Sequence, residues 1–169
     1  MKNILFVLAL IMPLIAFANP AKLSGGTPVQ IKTSLPAKSN QITTDIQGVV
    51  DANVYAADGK TILIQKGAPV KIHTMMIKNG AAGKAGKILI NGASALSVDG
   101  KTIPLSTQNM EIKGKGRGGL AHGLSWGLAI PTSFLSCFCL FIKGSEAEIP
   151  AGTIIPNTIV EGNHTITID

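Results

Sequence analysis

The sequence predicts a mainly β fold, a small β-barrel or sandwich, interrupted by one glycine-rich apolar insert of helical or hairpin form. Three observations carry this reading. Apolar and polar residues alternate with a period of two through 70–77, which places Val70, Ile72, Thr74 and Met76 on one face of a strand. Asp58-Gly59 and Asp99-Gly100 punctuate such runs, because glycine tolerates the positive φ of tight hairpins. Strong helical periodicity is absent outside the N-terminal leader and the insert, which spans 118–142.

Residues 1–18 have the build of an export signal. Lys2 supplies a positive start, residues 4–17 an apolar core interrupted by Pro13, and Ala16-Phe17-Ala18 a small-residue cleavage site before Asn19. No cysteine follows that site, so lipid anchoring there is not expected. The expected mature chain, 19–169, has the size of one domain. The chain holds 15 Lys+Arg against 9 Asp+Glu. All but one of the cations are lysine, whereas bidentate contacts to phosphates and bases favour arginine. The cations are scattered through strand-like segments, with one small cluster at Lys113, Lys115 and Arg117. Nucleic acid is therefore not an expected partner, and basic residues beside an apolar insert mark a membrane-proximal edge or a solvated loop.

Taken in order, 19–40 reads as an extended lead-in with a short strand at 28–32, and 46–55 as the next strand. Strands follow at 61–65 and 70–77, with Lys66-Gly67-Ala68-Pro69 turning the chain between them. The loop 79–87, NGAAGKAGK, lacks the Gly-Lys-Ser/Thr ending of a phosphate-binding loop. Strands at 88–98 and from Thr102 to Leu105 flank the second Asp-Gly turn. The pentapeptide DGKTI occurs twice, at 58–62 and 99–103, and IQKGAPV at 64–70 is echoed by IPAGTII at 149–155. Duplication and shared turn chemistry both account for such echoes. The tail holds strands at 153–160 and 164–168, with Pro150 and Pro156 at positions an edge tolerates.

The insert 118–142 carries no Asp, Glu, Lys or Arg and lies between Arg117 and Lys143. As one helix it would be about 37 Å long, against a hydrocarbon core of about 30 Å. Gly119, Gly123 and Gly127 share one helical face and permit close backbone approach. Pro131 breaks or kinks a helix there. A kinked span, a membrane-dipping hairpin and a dry core element remain open. A tail too short for a core of its own must pair with the earlier strands, which places both ends of the insert on one side. The expected membrane or partner contacts are Gly119, Trp126 and Phe134, with Gly123, Gly127, Phe138 and Phe141.

Catalytic and cofactor chemistry is not expected. His73, His122 and His164 lie on separate segments without ligand spacing. Cys137 and Cys139, two residues apart, supply at most half of a tetrahedral site and read as small buried hydrophobes. Ser125 matches G-x-S-x-G, but no strand-to-helix pattern supports a nucleophile elbow.

The run Asn53-Val54-Tyr55, followed by DGKTILIQKGA from Asp58 to Ala68, resembles the NVYD-x-x-G-x-x-LLIPxGxR segment of TrbI-type proteins, outer-membrane channel components of conjugation and type IV secretion machines. Gln65 stands where that pattern has proline. The later DGKTIPL, Gly119-Leu120 and Trp126-Gly127 extend the likeness. The whole mature chain is also similar to a class of small exported bacterial envelope proteins, in which a β-domain with DG-x-x-IPL…KGKGR precedes an apolar stretch and an LFIKG…IPAGT ending. The resemblance implies a β-barrel from which a hydrophobic hairpin projects into the outer membrane. The expected function is non-catalytic: an exported envelope interaction or assembly module, in the periplasm or at the outer membrane. The alternative is a membrane-inserting channel or secretion-complex component. Envelope proteins or membrane are the expected partners, and self-association stays open.

Overall fold

The computed structural model describes residues 19–41, 44–117 and 142–168, and their regular structure is all strand. The expected leader, residues 118–141 of the insert with its contact residues, His122 and both cysteines lie outside the described residues. The chain-order strands are β1 (Asn19–Leu23), β2 (Ile31–Thr33), β3 (Ala37–Lys38), β4 (Asp45–Val50), β5 (Val54–Tyr55), β6 (Ile62–Ile64) and β7 (Pro69–Ile77). Then follow β8 (Lys87–Leu96), β9 (Thr102–Thr107), β10 (Met110–Lys113), β11 (Glu148–Ile149), β12 (Ile154–Ile155), β13 (Thr158–Val160) and β14 (His164–Ile168).

Eight of these form one sheet: seven run in the order β12-β2-β4-β7-β8-β9-β13, and β10 pairs with β8 off that path. Its two outer strands are consecutive in the chain, and the lead-in to β2 joins them. Val29 N–H donates to Thr158 O at 2.9 Å, Val160 N–H donates to Thr27 O at 2.9 Å, and Pro28 bridges Ile159. The sheet thereby curls into a nearly closed barrel, which settles the choice between barrel and sandwich. Alternation decides which side chains fill it: Val70, Ile72 and Thr74 of β7 point inward against Ile88, Ile90, Ile103 and Leu105. Asp45, Gln47, Lys71 and His73 point outward, the reverse of a lipid-facing barrel strand.

Three smaller ribbons add side chains to the same core: β1 with β14, β3 with β11, and the β5–β6 hairpin. β8 is ten residues long and is shared, with β9 beside its second half and β10 beside its first. Two expected strands are broken. The run 46–55 splits at Asp51–Asn53, because Asp51 takes the Lys32 ammonium at 2.6 Å and Asn53 Oδ1 accepts the Lys66 N–H. The run 153–160 splits at Pro156-Asn157, where Asn157 adopts φ +54°.

The repeated DGKTI segments form the same turn with different reach. In each, a glycine with positive φ follows the aspartate, whose carboxylate accepts the N–H of the lysine two residues on. Asp58 is exposed and also accepts from Thr61. Asp99, whose side chain is 7 % exposed, accepts from the Ser97 hydroxyl, the Lys101 ammonium at 2.9 Å and the Thr167 N–H at 3.2 Å. It therefore clasps the β8–β9 turn to β14. Burial pushes the Asp99 carboxyl up, but Ser97, the Lys101 ammonium and the two N–H donors outweigh it and hold it well below the ordinary range. A depressed folded value stabilises above the unfolded value of 3.8 and is lost as pH falls below it. Asp99→Asn should cost about 2 kcal/mol at pH 7 and flatten the loss of stability between about pH 4 and pH 2. Urea titrations across that range check it. Asp58→Asn, with only its own turn to hold, should change less.

Candidate interaction site: a cationic rim at the base of the apolar segment

The loop between β7 and β8 organises one rim of the barrel. Residues 83–86 lie between two flanking segments. On one side Arg117 N–H donates to Gly83 O at 2.9 Å and Gly114 N–H donates to Gly86 O at 2.8 Å, so 114–117 runs antiparallel. On the other, Gly83 N–H donates to Ile142 O at 2.7 Å and Gly86 N–H donates to Ser145 O at 3.0 Å. The flanks are also joined directly, by Ser145 N–H to Lys115 O at 3.0 Å and by the Ser145 hydroxyl to the same residue. Asn79 Nδ2 donates to Gly144 O at 2.7 Å.

Both ends of the uncharged segment are thus fixed on one residue, Gly83, as expected from the pairing of the tail. That pairing is complete among the described residues: β11 with β3, β12 with β2, β13 with β9 and β14 with β1. Close approach explains the glycines here. A Cβ on Gly144 would lie 2.6 Å from the Lys84 carbonyl carbon, and one on Gly114 would lie 2.6 Å from that of Glu146. Beneath them, Ser39 is fully buried, donates to Glu146 and accepts the Ala147 N–H at 3.0 Å, which anchors the returning chain.

This arrangement collects charge that the sequence scatters. Lys78, Lys84, Lys87, Lys113, Lys115, Arg117 and Lys143 meet at the rim, against Glu111 and Glu146. Glu111 holds Lys87 and Lys113, each at 3.0 Å, and both ammoniums hold its carboxyl below the ordinary range. Lys78, Lys84, Lys115, Arg117 and Lys143 are solvent-exposed and have no ion pair among the described residues. Only the trio Lys113, Lys115 and Arg117 was legible as a cluster. The other four come from segments up to 65 residues apart, joined by main-chain bonds no local pattern announces. Met75 and Ile77, on the outer face of β7 where it enters the rim, are 53 % and 43 % exposed.

A concavity of about 630 Å³ lies away from the rim, outside β4, β7 and β8, lined by Asp45, Gln47, Lys71, His73, Ser94 and Leu96. His73 Nδ1 sits 3.0 Å from Asp45 Oδ1, with both side chains half-exposed. His164 is on β14, with its ring Nε2 2.7 Å from the Glu161 carbonyl oxygen. No group of three or more metal-ligating side chains occurs among the described residues. No helix among them is long and apolar enough to cross a membrane.

Comparison with protein-family models and with curated proteins finds no significant match.

Proposed function

We propose that this protein is an exported, non-catalytic module of the bacterial cell envelope, which attaches or assembles through the rim bearing its apolar segment. The observation that carries the reading is the fixing of Arg117 and Ile142 on Gly83. The two flanks of a stretch without a single charge meet at one residue of the packed domain, on segments that bear exposed cations. That geometry suits a docked or membrane-associated projection better than a catalytic pocket, whose polar groups would converge. The resemblance to small exported envelope proteins points the same way, and cleavage after Ala18 would leave Asn19 as the first residue of β1.

The alternative, a channel or secretion-complex component similar to TrbI-type proteins, is favoured by a barrel with an apolar segment at its rim. The interior is filled by Ile31, Ile72, Ile90 and Leu105, so a conduit would have to form between several copies.

Cell fractionation with intact-mass measurement tests the leading reading. The protein is expected in the envelope fraction with residues 1–18 removed. Recovery from the cytoplasm, or an envelope form retaining Met1, would overturn it.

A further inference from the structure

We propose that the rim is a receptor for anionic lipid headgroups, with Lys84, Lys115, Arg117 and Lys143 as the contacting cations and Lys78 at its margin. The inference rests on the envelope reading and adds the ligand class: phosphate-bearing lipid in a membrane surface.

Four observations converge on it. The rim carries seven cations and two carboxylates, whereas the chain as a whole has a formal net charge of only +6. Nearly all of the charge excess therefore sits at one end of the barrel. Glu111 satisfies Lys87 and Lys113, which leaves the other five facing solvent without an acidic partner among the described residues. The backbones bearing Lys84, Lys115, Arg117 and Lys143 are joined by the Gly83–Arg117, Gly83–Ile142 and Lys115–Ser145 hydrogen bonds, so these side chains start from one small area. Finally, exposed apolar side chains, Met75 and Ile77, stand on β7 where it enters the rim. Cations ringing apolar groups are the pattern of a surface at the headgroup level. An acidic soluble protein would also meet the charge, but exposed Met75 and Ile77 beside the cations suit a surface that offers charge and apolar depth together. Lysine outnumbering arginine suits diffuse attraction to a charged surface more than bidentate capture of a single phosphate.

The test is flotation of the mature protein, residues 19–169, with vesicles of phosphatidylcholine alone or with about one-third phosphatidylglycerol. Partitioning should be at least tenfold stronger into the anionic vesicles at 0.05 M salt, and the preference should shrink as salt rises. Each Lys→Gln or Arg→Gln change among the four contacting residues should weaken anionic binding up to fivefold. The matched control, Lys22, Lys60, Lys66 and Lys71 to Gln, removes the same charge away from the rim and should leave the preference intact. All eight side chains are exposed, and unchanged thermal unfolding of each variant confirms its fold. Equal binding to neutral and anionic vesicles, equal loss in the control, or retention of the preference by the four-residue rim variant would overturn the proposal. Binding to an acidic protein with no vesicle preference would also overturn it. Insert-dependent flotation without anionic preference removes the lipid inference and leaves the envelope reading standing, whereas cytoplasmic fractionation removes that reading itself.

Discussion

Ile72→Ala is expected to lower the unfolding free energy by about 3–4 kcal/mol. Ile72 sits at the middle of β7, between β4 and β8, with Ile46 opposite on one side and Ala93 on the other. It is fully buried. Its Cδ1 occupies the space that a side chain at position 48 would need: a Cβ on Gly48 would lie 2.8 Å from it. Neighbours this small cannot fill the void, so the loss combines transfer of the missing methyls with a residual cavity. Domains of this size have only about 5–15 kcal/mol in total. The urea midpoint should fall with the slope unchanged. A loss below about 1 kcal/mol would mean that the interior is loosely packed or hydrated, and the barrel could then hold something other than its own side chains.

Gly144→Ala should cost about 2–3 kcal/mol, and Gly114→Ala a similar amount. Neither effect comes from backbone dihedrals. A Cβ at 144 would press on the Lys84 carbonyl and lie 2.8 Å from the Ala85 nitrogen, which are main-chain atoms with little freedom to retreat. The segment 83–86 must separate from its flank to admit the methyl. Amide exchange at Gly83, Gly86 and Arg117 should therefore accelerate, while amides of β4 and the second half of β8 keep their protection. Uniform acceleration would show that the rim and the barrel open as one unit.

The barrel was legible because alternation and turn chemistry are local. β7 appeared with its inward face correctly assigned, and both Asp-Gly turns form where the glycines place them. What escaped was long-range. β3 and β11 are two-residue strands whose only partners are each other, with Lys38 and Glu148 at their junction. No pattern in two residues announces a partner more than 100 positions away. β10 was missed because its pairing depends on β9 ending at Thr107 and leaving the first half of β8 free. The 46–55 run reads as one strand because Gln47, Val49, Asp51 and Asn53 alternate, imperfectly, with Ile46, Gly48, Val50 and Ala52; the Asp51 carboxylate takes the Lys32 ammonium and Asn53 Oδ1 the Lys66 N–H, which breaks the ladder. The rim suffered most from the same limitation. Its charge is visible only after Gly83 has gathered three distant segments.

The β1–β14 ribbon has a practical meaning. Asn19 pairs with Ile168, and the Asp99 clasp ties this ribbon to the β8–β9 turn, whereas β8 begins at the cationic rim. The first and last described residues are thus neighbours at the pole of the barrel remote from Gly83. A biotin or fusion partner joined beyond residue 169 becomes a handle at that pole. Tethered by it to a sensor chip, every copy would hold its basic face outward, and the same handle would leave that face unobstructed in a living cell.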